Sequence, residues 1–242
     1  MLIDVVTIFP EMFTGPMNAG ILGRAQESGR LSIRVHDLRC DAEGRHRVTD
    51  EPPYGGGPGM VMKPEPFFRA VDRCRAQSPD SKRPRVILMT PQGRRLTHAR
   101  CEEFARENQL IVLCPRYEGV DERVRQLLAT DEISIGDFVV SGGEIPAMAL
   151  IDAVSRLIPG VVGEPESVVH DSFSKGMLEG PHYTRPREFR GFRVPDILLS
   201  GNHEAIDAWR RRQSERRTEQ RRPDLRPHRR TRLNGNSGFI LK

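Results

Sequence analysis

Two residues in the second half of this 242-residue sequence could transfer a proton and stabilise an anion. Asp171 stands beside His170 in a stretch without helix or strand periodicity, and the two form a titratable pair. A solvated acidic residue of a linker is the alternative. Arg156 is the one strongly basic residue of a largely apolar helix predicted over residues 145–158. It either has a structural partner or contacts an anionic ligand.

Residues 133–144 have the pattern of a strand that leads through glycine turns into this apolar helix. The β-branched run breaks at Gly136, resumes over residues 138–140, and breaks again at Gly142 and Gly143. Glycine lets the backbone approach a ligand closely, and α/β proteins commonly hold ligands where a strand leads into a helix. A tight connection without a ligand is the alternative.

Apolar strands alternate with helices through the first 160 residues. Strands are predicted over residues 3–9, 32–36, 86–89, 110–114 and 133–140, and helices within 17–28 and over 66–75, 97–107, 121–128 and 145–158. This alternation predicts an α/β fold with a parallel sheet that is covered on both faces. The turns PQG at 91–93 and YEG at 117–119 then join the glycine turns at the carboxyl edge, where open α/β folds bind ligands.

A proline- and glycine-rich segment, PPYGGGPGM, occupies residues 52–60. Its spacing matches neither the dinucleotide-binding nor the P-loop glycine pattern, so it carries no nucleotide-fold signature. Two interpretations stay open: a flexible loop, or a lid whose backbone lies against a substrate while Tyr54 stacks on it.

Basic residues concentrate near the end of the chain. The net charge is +5 overall, yet from His203 onward twelve Lys and Arg residues stand against five Asp and Glu residues. Asn202 is predicted to cap a helix with Ile206 and Trp209 on one side and arginines around the rest. Such a face favours contact with phosphates, although a solvated charge run is the alternative. A disordered basic tail is predicted from about residue 226.

The composition, 37% hydrophobic and 29% charged, is typical of a globular protein. No apolar run is long enough to cross a bilayer, and the N-terminus lacks the regions of a secretory signal, so we expect a cytoplasmic protein without membrane contact. The widely spaced Cys40, Cys74, Cys101 and Cys114 argue against a zinc site or a disulfide framework. No metal site is predicted.

Several motifs occur in a specific order and spacing: DVVTIFPEMF at 4–13, PYGGGPGMVM at 53–62, TPQG at 90–93, RYEGVDER at 116–123, SIGDFVVSGGE at 134–144, RLIPG at 156–160, DSF at 171–173 and YTRP at 183–186. In these motifs, over nearly its whole length, the chain resembles the bacterial tRNA (guanine-N1)-methyltransferases, the TrmD family of the SPOUT methyltransferases. Each motif is weak alone, and their combination is specific.

The resemblance implies an architecture that periodicity alone does not show. Residues 1–160 would form a SPOUT-type parallel α/β sheet whose carboxyl-edge turns are threaded into a deep trefoil knot that binds S-adenosylmethionine. A linker over 161–175 would join it to a small C-terminal helical domain, 176–242, that binds tRNA. Two chains would form a homodimer with each active site at the subunit interface. The family's Mg²⁺ dependence is implied too, with no site assigned.

The resemblance also implies the reaction and the residues that perform it. Methylation would take place at N1 of the guanosine immediately 3′ of the anticodon, position 37 of tRNA. Asp171 would remove the N1 proton, Arg156 would stabilise negative charge on O6, and Glu118 would lie near the cationic part of the cofactor. The cofactor-binding residues would be Leu88, Thr90, Pro91, Gln92, Pro115, Tyr117, Glu118, Ile135, Gly136, Asp137, Phe138, Val139, Val140, Gly142, Gly143 and Pro146.

Two of these positions depart from the family pattern. Pro115 replaces a glycine, so a cofactor contact through that amide N–H is lost. Phe138 replaces a common tyrosine and keeps the ring without the hydroxyl.

Two other functions stay open at this stage. One is a SPOUT methyltransferase that acts on another RNA position, such as a ribose 2′-hydroxyl. The other is a non-catalytic RNA-binding protein that uses the arginine-rich domain.

Overall fold

The computed structural model of this chain describes residues 1–78 and 83–225. The strands are β1 (Leu2–Thr7), β2 (Ser32–Asp37), β3 (Asp50–Glu51), β4 (Val61–Met62), β5 (Arg85–Arg95), β6 (Gln109–Leu113), β7 (Asp131–Ser134), β8 (Glu188–Phe189) and β9 (Phe192–Arg193). The α-helices are α1 (Gly20–Glu27), α2 (Pro64–Ala76), α3 (His98–Ala105), α4 (Glu122–Leu127), α5 (Glu144–Ser155), α6 (Pro165–His170) and α7 (His203–Arg221). Short 3-10 turns cover Pro10–Phe13, Pro16–Asn18, Leu38–Asp41, Asp196–Leu199 and Pro223–Leu225.

Five parallel strands form the central sheet, in the order β2-β1-β6-β5-β7. Alternate residues of β5 enter two separate hydrophobic clusters. Ile87 and Met89 pack with α1, α3 and α5, while Val86 and Leu88 pack with α2 and α4. Residues 86–89 of β5 are apolar and buried, as is nearly all of β6, because both faces of the sheet are covered there. The predicted parallel α/β sheet is confirmed.

Two of the predicted strand ends are wrong by more than two residues. β5 does not stop at Met89 but continues to Arg95, and its pairing with β7 shifts between Met89 and Arg94. Gly93 permits this close passage, since a Cβ there would lie 2.5 Å from the backbone carbon of Glu132. The second error concerns residues 138–140, which form no strand; β7 ends at Ser134, and the apolar side chains that follow are partly exposed in a turn.

The chain divides into two compact units, the first comprising Met1–Val168 and the second beginning at Val169. The division falls inside the predicted linker. The prediction of irregular structure there is wrong for Pro165–His170. That segment forms α6, with proline at the first position, where it costs no hydrogen bond. The predicted disordered tail from residue 226 lies outside the described residues.

The second unit combines the β8–β9 hairpin with the long helix α7. Asn202 caps α7 as predicted, because its Oδ1 accepts a hydrogen bond from the Ala205 N–H at 3.1 Å. The buried Thr218 hydroxyl accepts from the Leu178 N–H at 2.9 Å and so ties α7 to the preceding segment. Within residues 1–78 and 83–225, no helix is both long and apolar enough to cross a bilayer.

A buried ionic network joins the first two strands. Asp4 is fully buried and accepts two hydrogen bonds from Arg34, at 2.7 and 2.9 Å, and one from Gln109 at 2.8 Å. His36 Nε2 lies 2.7 Å from the same carboxylate. Burial alone would raise the pKa of Asp4, but the hydrogen bonds from His36, Arg34 and Gln109 outweigh it, and the pKa lies below its ordinary value.

Replacing Asp4 should therefore destabilise the first unit in a pH-dependent way. The carboxylate contributes stability that is fully present above its unfolded pKa of about 3.9 and is lost as the pH falls through the lower folded pKa. We expect Asp4→Ala to reduce the free energy of unfolding by about 3–5 kcal/mol at pH 7, because Arg34 loses a buried partner. Urea unfolding at pH 7 and pH 3 should show a smaller difference at the lower pH.

Asp72→Ala serves as the control for this prediction. Asp72 is exposed and lies 3.6 Å from Arg75, so its removal should change the unfolding free energy by less than about 0.5 kcal/mol. Equal losses for the two variants would show that the buried network does not stabilise the fold.

Candidate active site

A cleft of about 260 Å³ lies at the carboxyl edge of the sheet, between the register shift of β5 and the turns that follow β6 and β7. The three predicted turns come together there. Most of the predicted cofactor residues line it: Thr90, Pro91, Gln92, Pro115, Tyr117, Glu118, Ile135, Phe138, Val139, Val140, Gly142, Gly143 and Pro146. This convergence follows from the parallel sheet, because parallel strands point their carboxyl ends to one edge.

Three predicted cofactor residues are not among those that line the cleft in the described part of the chain. The Leu88 side chain is buried in the hydrophobic cluster on the α2 and α4 face of the sheet. Asp137 is exposed and lies 3.2 Å from Arg95, and Gly136 turns the chain immediately before it. The assignment of these three residues to a cofactor stays a prediction.

The buried carboxylate of Glu144 holds the walls of the cleft together. One of its oxygens accepts a hydrogen bond from the Thr7 hydroxyl at 2.7 Å, at the end of β1. The other accepts from Arg116 Nε at 2.8 Å, in the turn after β6. Because Glu144 is also the first residue of α5, it joins three chain segments. Its carboxylate is fully buried, and the Arg116 side chain that pairs with it is partly buried.

Arg116 extends this network to the turn before α5. Its guanidinium lies 4.5 Å from the centre of the Phe9 ring and donates a hydrogen bond to the Ser141 carbonyl at 3.3 Å. The lining also includes residues that were not predicted as site residues: Arg116, Gly119, Ser134 and Ser141, which lie within the quoted motifs, and Met89 and Ile133. No local sequence signal identifies the Arg116–Glu144 ion pair, because its two residues are 28 positions apart.

Gly142 and Gly143 allow the turn after β6 to lie against the turn before α5. A Cβ at Gly142 would lie 2.2 Å from Arg116 Nε, and a Cβ at Gly143 would lie 2.7 Å from the Cα of Cys114 and the Cδ of Pro115. The Gly143 N–H donates to the Pro115 carbonyl at 2.7 Å. Pro115 therefore contributes packing and a carbonyl to this contact.

The turn after β6 has a constrained backbone beside the glycine-rich segment. Tyr117 adopts a positive φ of 59°, which is uncommon for a residue with a side chain and clusters at functional sites. Glu118 follows, exposed, and its carboxylate packs against Gly59, where a Cβ would lie 2.5 Å from Glu118 Oε1. Its N–H donates to the Met60 carbonyl at 3.0 Å. The turn thus presents a carboxylate at the cleft.

Arg156 lies at the end of α5 that is remote from the cleft. The helix ends at Ser155, three residues earlier than predicted, and Arg156 is its C-cap residue. The cleft meets the first turn of α5 at Pro146. A helix of 12 residues is about 18 Å long, so the Arg156 backbone stands nearly a helix length from the cleft of its own chain.

Asp171 lies in the second unit, in the turn that follows α6. It is half-buried, and its carbonyl accepts hydrogen bonds from the Ser174 N–H at 3.3 Å and from the Ser174 hydroxyl at 2.7 Å. Its predicted neighbour His170 is the last residue of α6 and is exposed. The turn therefore holds the Asp171 backbone in place.

Asp4, His36 and Cys74 bring potential metal-ligating atoms within 4.8 Å of one another, away from the cleft. Their chemistry does not suit a metal. Asp4 is already bound by Arg34, and His36 Nδ1 lies 2.9 Å from a nitrogen of Arg73. Burial raises the pKa of the Cys74 thiol to about 12, so it stays protonated at neutral pH. We assign no metal to this cluster.

Comparison with known proteins identifies the family. Residues 1–228 match the family model described as tRNA (Guanine-1)-methyltransferase TrmD. Three curated proteins named tRNA (guanine-N(1)-)-methyltransferase align over 225 residues, 93% of this chain: those of Geotalea uraniireducens at 58% identity, covering 90% of that protein, Moorella thermoacetica at 57%, covering 90%, and Anoxybacillus flavithermus at 56%, covering 91%. With these matches along nearly its entire length, the chain belongs to the tRNA (guanine-1)-methyltransferase family.

Proposed function

We propose that this protein transfers a methyl group from S-adenosylmethionine to N1 of the guanosine immediately 3′ of the anticodon, position 37, in tRNA. The observation that carries this proposal is the convergence of the three motif-bearing turns into one cleft in a chain of this family. A tRNA substrate would also place the reaction in the cytoplasm. The Mg²⁺ dependence implied by the resemblance stays a prediction without an assigned site.

The residues that line the cleft fit the cofactor. Apolar side chains and glycine backbone suit a flat adenine, and side chains at 142 and 143 would push the cleft walls apart. We infer that Thr90, Gln92, Ile135 and Val140 hold the adenosine part and that Glu118 faces the cationic part, where a carboxylate favours positive charge. When bound, S-adenosylmethionine supplies an electrophilic methyl group.

The guanine must lose its N1 proton before that nitrogen can act as a nucleophile, and Asp171 is the proposed base. Its carboxyl is carried by a turn whose backbone is fixed by Ser174. As the proton leaves, negative charge develops on the guanine O6, and the Arg156 guanidinium would stabilise it. Asp171 and Arg156 would thus act on adjacent groups of the guanine, the N1–H and the O6 carbonyl.

A homodimer would solve a geometric problem posed by the single chain. The cleft meets the first turn of α5, whereas Arg156 follows the last turn of the same helix. Within one chain, Arg156 is therefore far from the cofactor cleft. We propose that cofactor residues of one subunit face Asp171 of the partner subunit. The isologous pairing of identical surfaces makes two equivalent sites of this kind.

We also propose that the carboxyl-edge turns are threaded into the trefoil knot of the SPOUT methyltransferases. The passage of β5 beyond the sheet edge supports this proposal. Its residues on either side of the register shift, Met89 and Arg94, both pair with Ile133 of β7, and the Leu96 N–H donates to the Ser134 carbonyl at 2.8 Å.

Incubating unmodified tRNA transcripts with the protein and S-adenosylmethionine should produce N1-methylguanosine at position 37, detected by nucleoside analysis. Asp171→Asn should lower the rate constant for methylation about a hundredfold to ten-thousandfold, the usual contribution of a positioned base, with little change in cofactor affinity. Asp224→Asn, which removes a partly exposed carboxylate of the same unit, is the matched control. A 2′-O-methylated product, or an unchanged rate for Asp171→Asn, would contradict the mechanism.

Mixing two inactive variants tests the shared site. If Glu118 of one subunit serves the same site as Asp171 of the partner subunit, a dimer of Glu118→Ala with Asp171→Asn has one fully intact site. After subunit exchange, random pairing should restore about one quarter of wild-type activity. No recovery, in a mixture shown to contain mixed dimers, would place both residues in a site within one chain.

A further inference from the structure

The second unit contains its own cavity, of about 470 Å³, between the segment before the β8–β9 hairpin and α7. Its volume is in the range of sites for small organic ligands. Apolar side chains, among them Leu198 and the buried Ile206, form part of its wall. Neither the reaction nor the cofactor cleft uses this cavity.

One aromatic ring in the lining is held in a fixed position. Tyr183 is about half-exposed, and its ring centre lies 6.4 Å from that of Trp209 at an interplanar angle of 52°. Such a tilted pair is a favourable aromatic contact that restricts the tyrosine while part of its ring stays accessible. A supported, accessible ring is a platform on which a nucleobase can stack.

Positive charge surrounds this platform. Arg185, Arg187 and Arg210 line the cavity, and no Asp or Glu of the described residues does so. Arg187 pairs with Asp196 at 3.1 Å and Arg210 with Asp207 at 3.5 Å, but these side chains are exposed, and such pairs are weak enough to exchange for a phosphate. Arginine is suited to phosphate because its planar fork can donate two parallel hydrogen bonds.

We propose that this cavity binds one nucleotide of the RNA substrate, with its base stacked on Tyr183 and its phosphate held by Arg185 and Arg210. This inference rests on the proposed tRNA substrate and adds a second contact point, separate from the guanosine that is methylated. An RNA nucleotide is favoured over a free one because α7 carries further exposed arginines, Arg211, Arg212 and Arg216, which attract the phosphates of a longer strand.

Removing the tyrosine ring should weaken RNA binding without affecting the cofactor. We expect Tyr183→Ala to raise the dissociation constant and the KM for tRNA by about five- to a hundredfold, as for the loss of one base–aromatic stack. Tyr183→Phe keeps the ring and should stay near wild type. The affinity for S-adenosylhomocysteine and the rate constant at saturating tRNA should be unchanged in both variants.

Two neighbouring arginines of α7 allow binding in a nucleotide pocket to be distinguished from nonspecific electrostatic attraction of the RNA. Arg210→Gln and Arg211→Gln remove the same charge from adjacent positions of α7, each exposed and paired with an acid, and only Arg210 lines the cavity. We expect the loss of tRNA affinity for Arg210→Gln to exceed that for Arg211→Gln by about fivefold or more. Equal losses would overturn the proposal, since they indicate attraction without a pocket.

Two further outcomes are decisive. Wild-type affinity for tRNA in Tyr183→Ala would exclude the stacked nucleotide, whereas displacement of tRNA by a free mononucleotide such as GMP at comparable concentration would show that the cavity takes a free nucleotide and not one of RNA. Because tRNA binding is measured directly, by filter retention or fluorescence anisotropy, the result does not depend on methylation. A wild-type protein that binds tRNA but forms no N1-methylguanosine would contradict the proposed function, and the comparison of tRNA affinities between the variants would still test the nucleotide pocket.

Discussion

The fully buried carboxylate of Glu144 is the interaction on which the cleft depends. A charge removed from water is costly unless it is paired and hydrogen-bonded, and Glu144 meets this condition through Thr7 and Arg116, from two other parts of the chain. The contacts fix where β1 ends, where the turn after β6 lies and where α5 begins. Gly142 and Gly143 let these segments approach closely enough for the carboxylate to bridge them.

The same constraint separates the two halves of the proposed chemistry. Glu144 holds the first turn of α5 at the cleft, so the length of the helix carries Arg156 away from it. The proposed homodimer would bring groups of a second subunit to the cleft that the far end of α5 does not reach within one chain. Pro115 fits the close contact between the turn after β6 and the turn before α5. Its carbonyl accepts a hydrogen bond from the Gly143 N–H and its ring packs on the glycine turn, and neither contact needs the N–H that proline lacks.

Local patterns predicted the features that depend on local physics. Apolar strands alternating with helices predicted the parallel sheet, and the N-cap residues Thr97 and Asn202 marked two helix starts, since each cap is made by neighbouring residues. The extension of β5 could not be predicted, because β7 supplies its partners from about forty residues away. The Glu144–Arg116 pair has the same origin: its residues are 28 apart, and neither motif reveals the contact.

Calorimetric titration of the wild-type protein and Glu144→Gln with S-adenosylhomocysteine tests this account most directly. In this variant an amide NH₂ replaces one of the two carboxylate oxygens that accept hydrogen bonds from Thr7 and Arg116. Two donors then face each other, and the turns around the cleft should lose one of the contacts that hold them together. We expect the wild type to bind one ligand per chain and the variant, verified as folded by circular dichroism, to bind about ten- to a hundredfold more weakly. Equal affinity in a folded variant would contradict the central role of Glu144, and an absence of binding to the wild type would contradict the cofactor cleft itself.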